Sequence, residues 1–508
     1  MRRFYENDVS IRSQFVHIVI IILTIGNIET CVATHKRMVL WKHFTGLLTT
    51  STAFCGRMCW CIYYWEWEFF SPFALVLYNF VDSNVPPKLF LPKQVQARTS
   101  FQAFATGLAS RVGMGNIAGV ATAISVGGPG AVFWMWVTAL LGMSSAFVEA
   151  TLAQMFKVKN GDGTFRGGPA YYIQQGLGSR RWGIAFAISL LLAFGLVFNA
   201  LQSNAIAESM EFAFGIDRTL MGLIVVAFSG AVIFGGARRI GRVAEVLVPI
   251  MAMIYLLVAL YAIIANISEL PRVFGLIFAA AFNPQAALGG AAGASLKVAM
   301  EMGIKRGLFS NEAGMGSAPN AAASASTPHP VNQGLLQMLG VFVDTCIVCS
   351  ATAFMILLSP AYTIGGEAKG IALTQAAVNH HIGSGGPGFL AIAIFFFSFT
   401  SIIGNYAYAE SNINFIKRNS MVVLVFRLMV LGMVMFGATG SLPLVWDMAD
   451  VSMGFMALIN LVAILLLSKF AFAAWKDYSN QLKAGHEPVF KSASIEGLQG
   501  KLMDDSWK

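Results

Sequence analysis

Between residues 101 and 470 the chain returns again and again to apolar runs long enough to cross a hydrocarbon layer of ~30 Å. A chain immersed in lipid must pair each backbone N–H and C=O within its own segment or within a closed barrel. The alternating pattern of a barrel strand is absent, so the element is the helix. Of 508 residues, 56% are apolar and 12% charged, more apolar than a soluble core requires. The reading is an all-α polytopic membrane protein.

Ten main spans are expected, near 100–126, 130–156, 182–212, 218–236, 243–266, 286–324, 333–358, 387–416, 420–439 and 444–470. The segment 271–283, "PRVFGLIFAAAFN", is too short to cross and is assigned to the interface. The spans divide into two sets of five, and the first member of each carries a similar interruption: "GMGNIAGVATA" from Gly113 and "GMGSAPNAAASA" from Gly314. Five is odd, so the second set starts on the opposite side of the membrane and the repeat is inverted. Matching Gly-interrupted helices in inverted repeats point to a transporter site at mid-membrane. The expected organisation is 1–96 as an N-terminal region with one further span, 97–270 and 271–470 as the two repeats, and 471–508 as a cytoplasmic tail. That makes about 11 transmembrane helices in all.

The net charge of +9 raises the question of a nucleic-acid partner, and the position of the charges answers it. With the first broken helix starting in the cytoplasm, Lys157, Lys159, Arg166, Arg180, Arg181, Arg238, Arg239, Arg242, Lys417 and Arg418 all fall in cytoplasmic loops. The opposite loops hold Arg218, Arg272 and Lys369. This is membrane orientation, not nucleic-acid binding. Four of the six cysteines precede residue 62 with no His or acidic set to complete a metal site, and Cys346 and Cys349 read as small packing residues.

Gly113 to Asn116 fall halfway along a helix that starts near Arg98, the depth at which unpaired backbone costs most. An unwound stretch there survives only against a cavity or buried in protein. Its N–H groups at Met114 and Gly115 suit a carboxylate, and its carbonyls a small cation. The alternative is a helix-packing face through Gly115 and Gly119. The second interrupted helix holds Lys305, Arg306 and Glu312, which either gate, pair with one another or snorkel, with Ser310 and Asn311 beside the break. Gln202 and Asn204 on the third span bond either substrate or a neighbouring helix. Thr400 and Ser401 on the eighth offer neutral oxygens to a monovalent cation or bond back to their own turn. Glu149 and Asp344 stand as proton relays or members of internal salt bridges. His380 and His381 are expected in a solvated loop.

There is no G-x-x-x-x-G-K-[ST] loop, H-E-x-x-H or G-x-S-x-G, so ATP-driven pumping and intramembrane hydrolysis have no visible machinery. Transport driven by an ion gradient is left.

The strings "SRVGMGNIAGVA", "GGPGAVFWMWVTALLGM", "FRGGPAYYI" and "GLFSNEAGMGSAPNAAA" closely resemble the alanine or glycine:cation symporter family of prokaryotes, over about residues 98–475. The resemblance implies a leucine-transporter-type fold of inverted five-helix repeats and a secondary symporter of alanine and glycine in the prokaryotic inner membrane. It implies sodium as the coupling ion, no enzymatic cofactor and no enzyme activity; the partners are the small-molecule substrate and the lipid bilayer. Carried over by motif, Met114, Gly115, Asn116 and Gln202 would hold the amino acid, with Phe309, Ser310 and Asn311 closing the other side. The Ala109 and Val112 carbonyls with the Thr400 and Ser401 hydroxyls would form the sodium site. The alternatives are a proton-coupled transporter of another small solute, or a channel or sensor built on the transporter fold.

Overall fold

A computed structural model describes residues 100–161, 163–282, 296–363, 366 and 370–507. The expected extra span before residue 97, the early cysteines and Lys369 lie outside these residues, as does the start of the sixth expected span.

The first helix, α1 (Ser100–Arg111), gives way to a 3-10 turn at Met114–Asn116 and resumes as α2 (Ala118–Gly127). Pro129 then starts α3 (Gly130–Met155), and a short hairpin pairs β1 (Val158–Lys159) with β2 (Phe165–Arg166). After α4 (Pro169–Gly176), α5 (Arg180–Leu190) and α6 (Phe198–Phe214) form one rod joined by a π-helical segment at Leu191–Val197. Next come α7 (Arg218–Ile233), α8 (Gly236–Ala265) and the short α9 (Leu270–Phe282). Asp217 caps α7 by accepting from the N–H groups of Thr219 and Leu220.

The second interrupted helix is α10 (Leu296–Asn311) followed by α11 (Pro319–Ala323). In α12 (Pro330–Val341) and α13 (Ser350–Leu357) a second π-helical segment, Phe342–Cys349, bridges the halves. Then follow α14 (Gly370–Ile382), α15 (Gly386–Ile416), α16 (Ser420–Thr439) and α17 (Leu442–Lys483).

Among the described residues, seven helical stretches are long and apolar enough to cross a membrane, and α7 is a shorter apolar helix. Burial separates their settings. Only 28% of the apolar window of α8, and of α16, is buried, against 61% for α3 and 67% for the α12–α13 rod. The exposed faces of the two outer helices carry Met253, Leu257, Ile264, Met421 and Leu428, side chains that lipid solvates as well as protein does.

Two expectations are corrected here. His380 and His381 end α14 rather than lying in a loop, and His381 Nε2 is 2.8 Å from the Met355 carbonyl. The helix that carries the tenth expected span does not stop at residue 470: α17 runs to Lys483, and the chain then folds back. Phe490 N–H donates to the Pro328 carbonyl, Lys501 Nζ to Gly176 O, and Trp507 Nε1 to Gln154 O at 2.8 Å. Buried Lys157 stands over the rings of Phe165 and Trp507, and burial lowers its ammonium pKa to about 7.

Candidate functional site

In an unbroken helix the N–H groups of Gly113, Met114 and Asn116 would bond the carbonyls of Ala109, Ser110 and Val112. Here Gly113 N–H donates to Asn116 Oδ1 at 2.9 Å, Met114 N–H to Gln202 Oε1 at 3.1 Å, and Asn116 N–H to Gly113 O. The three carbonyls therefore lose their helical donors. Ala109 O instead accepts from the Ser401 hydroxyl at 3.0 Å.

The second break repeats the pattern with different side chains. Ala313 N–H donates to Asn311 Oδ1, and Gly314 and Gly316 donate to the two oxygens of buried Glu149 at 3.3 and 3.1 Å. Asn460 adds a third bond to Glu149 at 2.8 Å. Gly314 and Gly316 have φ of 75° and 84°, a backbone region costly for a residue with a Cβ. With Met315 N–H turned to the Glu312 carbonyl, the carbonyls of Phe309, Ser310 and Asn311 lose their helical donors.

The two breaks meet at Asp344. One of its oxygens accepts from Asn116 Nδ2 at 2.7 Å; the other accepts from Ser310 at 2.8 Å and Thr345 at 2.9 Å. Cys349 Sγ lies 3.3 Å from Asn116 Nδ2 and 3.2 Å from Ser310 Oγ, so this cysteine touches both broken helices. Asp344 and Cys349 both belong to the second π-helical segment, whose wider turn brings them into the gap.

Close approach explains the first two glycines. A Cβ at Gly113 would sit 2.4 Å from Ser401 Oγ and 3.0 Å from the Gln202 amide; one at Gly115 would sit 3.0 Å from the Phe309 ring. At Gly119 the nearest atom among the described residues is in Trp446, at 3.9 Å, so the packing face through Gly115 and Gly119 is tight at Gly115 alone. Phe309 stacks on Phe198 at 4.7 Å and contacts Trp446 at 4.9 Å, forming an aromatic wall beside Gly115.

Met114, Gly115, Asn116, Gln202, Phe309, Ser310 and Asn311 thus form one buried contact network, Asn311 joining it through Thr345. Ser401 and Ala109 touch. Thr400 is buried one residue away, its hydroxyl donating to Phe397 O within its own helix, and Val112 follows the end of α1. Asn204 faces elsewhere: its amide donates to the Gly437 and Gly440 carbonyls of α16 and its end.

Of the alternatives for the charged residues, the mutual pairings are not formed. Lys305, Arg306 and Glu312 do not pair with one another. Lys305 bonds Glu301, while Arg306 makes a bidentate pair with Asp450 at 3.1 and 3.2 Å and lies 3.8 Å over the Trp446 ring. Glu312 accepts from Ser317 through one oxygen, and its other oxygen lies 2.6 Å from Ser110 Oγ. Nor do Glu149 and Asp344 join salt bridges among the described residues; each is held by neutral donors, with Arg111 the cation in Coulombic range of both.

Sequence reasoning missed Ser110, Phe198, Asn405, Trp446 and Asp450. The signal for Asp450 was available, because an acid inside an apolar span needs a cation, and Arg306 was already known to need an anion. Nothing in a one-dimensional pattern brings Trp446 to Phe309.

Residues 88–492 match the family described as the sodium:alanine symporter family. An uncharacterized transporter of Haemophilus influenzae is 56% identical over 412 residues, covering 81% of this chain and 85% of that protein. A probable sodium/glutamine symporter of Bacillus subtilis is 53% identical, covering 79% and 82%. A sodium/alanine symporter of Methanococcus maripaludis is 39% identical, covering 75% and 84%. Among solved structures, a manganese transporter of Eremococcus coleocola superposes with a TM-score of 0.49 at 16% identity, covering 82% of this chain and 88% of that one. On the match across most of its length, with its buried, doubly interrupted helical core, this chain belongs to the sodium:alanine symporter family.

Proposed function

We propose that the chain is a secondary symporter that imports small neutral amino acids, alanine and glycine, with sodium, by alternating access in the prokaryotic inner membrane. The observation that carries the reading is the meeting of two helix breaks at one buried point, tied through Asn116, Asp344 and Ser310. In this reading residues 97–270 and 271–470 are inverted repeats of five spans each, and the tail after residue 470 is cytoplasmic.

Met114, Gly115, Asn116 and Gln202 hold the amino acid from one side, and Phe309, Ser310 and Asn311 from the other. The small clearance between Gly115 and Phe309 supports a small side chain. The carbonyls of Ala109 and Val112, stripped of helical donors, and the hydroxyls of Thr400 and Ser401 are uncharged hard oxygens. Such a set fits a desolvated monovalent cation. When sodium enters, the Ser401 proton now given to Ala109 O turns away, and both oxygens face the ion. An inward sodium step gains about 2.3 kcal/mol per charge per 100 mV, enough for roughly 40-fold accumulation.

A second reading, glutamine as substrate, is favoured by the Bacillus subtilis relative whose name specifies glutamine. Sodium-gradient-driven uptake of alanine, glycine and glutamine into proteoliposomes decides between them. Choline in place of sodium must abolish uptake, and labelled alanine must exchange in counterflow. Saturable glutamine uptake without alanine uptake replaces the first reading with the second. Uptake undiminished in choline removes sodium coupling, and the absence of counterflow removes the carrier mechanism in favour of a channel or sensor.

A further inference from the structure

Ser110, on α1, lies 2.6 Å from Glu312 Oε1 and 2.7 Å from Asn405 Oδ1. A serine hydroxyl has one proton to give. The neighbouring amides say which oxygen receives it. Asn199 Nδ2 donates to the Gly195 carbonyl at 2.9 Å, an acceptor that can play no other part, so Asn199 presents its oxygen to Asn405. Asn405 therefore presents its nitrogen to Asn199, at 3.1 Å, and its oxygen to Ser110. Reversing the two amides would set Asn199 Oδ1 against the Gly195 carbonyl, an unfavourable contact between two acceptor oxygens.

The Ser110 proton is thus committed to Asn405. The contact of 2.6 Å with Glu312 is a hydrogen bond only if the carboxyl supplies the proton. The other carboxyl oxygen accepts from Ser317 at 2.5 Å.

Two further observations mark Glu312. It is the one non-glycine residue among those described with a positive φ, 56°, and a left-handed backbone costs about 1–2 kcal/mol that the surroundings must hold in place. Arg111, next to Ser110, is buried, and among the described residues its Nε and Nη2 have no hydrogen-bond partner, while Nη1 donates to the Gln337 carbonyl. Its charge acts on Glu312 from α1, that of Asp344 acts from the π-helical segment, and Tyr408 faces the same group from α15. An ionised Glu312 would have the free guanidinium N–H groups as its alternative partner.

We propose that Glu312 is a proton-binding site of the transport cycle. It carries a proton while the two broken helices are joined through Ser110, and releases that proton to water as they part and the carboxylate turns to Arg111. The inference rests on the symport reading in one respect, that the two helices separate during the cycle.

The test has one readout independent of transport. Infrared spectra of the purified protein carry a C=O stretch for each neutral carboxyl. One such band must vanish in Glu312→Gln and persist in Glu149→Gln and Asp344→Asn. In Ser110→Ala, which removes the acceptor but keeps the acid, the band must shift. An unchanged spectrum in Glu312→Gln, or an unshifted band in folded Ser110→Ala, overturns the proposal.

In proteoliposomes at fixed sodium gradient, wild-type uptake should rise at least about fivefold from about pH 6 to pH 8.5 as the proton leaves more readily. Glu312→Gln, whose amide also donates to Ser110, should stay at the low acid rate throughout. A Glu312→Gln profile that follows the wild type also overturns it. If the infrared result holds but wild-type protein takes up no amino acid with sodium, the symport reading fails and the proton site stands.

Discussion

A methyl group added at Gly113 tests the proposed ion site without removing any of its atoms. The backbone there is extended, φ −142° and ψ −150°, so alanine fits the dihedral angles and the cost is steric. The new Cβ would lie 2.4 Å from Ser401 Oγ and 3.0 Å from both Gln202 amide atoms. Ser401 must rotate away, giving up the one hydroxyl proton it shares between Ala109 O and Phe397 O, each 3.0 Å away, and Gln202 must loosen its bond to Met114 N–H. Overpacking costs about 1–3 kcal/mol and each hydrogen bond about 0.5–1.5 kcal/mol, so a net loss of ~1.4–2.8 kcal/mol at the ion site is expected. That corresponds to a rise of roughly tenfold to a hundredfold in the sodium concentration for half-maximal uptake. Sodium titration of alanine uptake in proteoliposomes measures it. Ser401→Ala removes the oxygen that the methyl collides with, so the double variant should be scarcely worse than Ser401→Ala alone. If the two effects simply multiply, or Gly113→Ala leaves sodium dependence untouched, the steric reasoning is wrong.

Three further outcomes are expected. Asp344→Asn leaves one acceptor oxygen where Asn116, Ser310 and Thr345 now find two; with at least one buried bond lost at ~1–3 kcal/mol, uptake should fall about tenfold or more while the protein still purifies folded. His329, buried outside the spans, accepts from Val331 N–H through Nδ1 and contacts Asp477 through Nε2, and burial lowers its pKa to about 4. Its folded pKa lies below the ordinary value of 6.5, so its contribution is present above pH 6.5 and is lost as pH falls towards 4. Detergent-solubilised protein should lose about 2 kcal/mol by about pH 5 from this group, and His329→Phe should melt with a flatter acid limb. Trp507→Ala empties the site between Lys157, Phe490 and Gln154, so trypsin should cut at Lys491 and Lys501 much faster than in the wild type, with the cores equally resistant.

The helices were legible because lipid enforces one rule on every residue. Nine of the ten expected spans correspond to described helices or helix pairs within a few residues at most ends, and both interruptions fall at their glycines. The partners of the breaks were less legible. Gln202, Ser310 and Asn311 stood out because each is polar in an apolar run, and the same test flagged Asp344. It could not distinguish a residue that bridges two helices from one in a salt bridge, because both satisfy burial in the same way. Ser110 and Asn405 escaped because a small polar residue in a membrane helix usually bonds its own backbone; only three-dimensional contact reveals that these two reach each other. The tail after Lys483 is polar enough to read as solvated, yet Phe490, Ile495, Leu498 and Trp507 are buried against distant segments.

The π-helical run at Phe342–Cys349 makes the length of this stretch as binding as its composition. Deleting one residue there would let the ordinary α-helical ladder close, a local gain. The flanking turns would keep nearly their present phase, because the wide turn is what absorbs the extra residue, but the bulge that carries Asp344 and Cys349 into the gap would be gone. Cys349, which now reaches the Asn116 amide, and Asp344, which ties it to Ser310, would be drawn back from the two broken helices. Shortening the rod by a single position should therefore produce a protein that is well folded and inert.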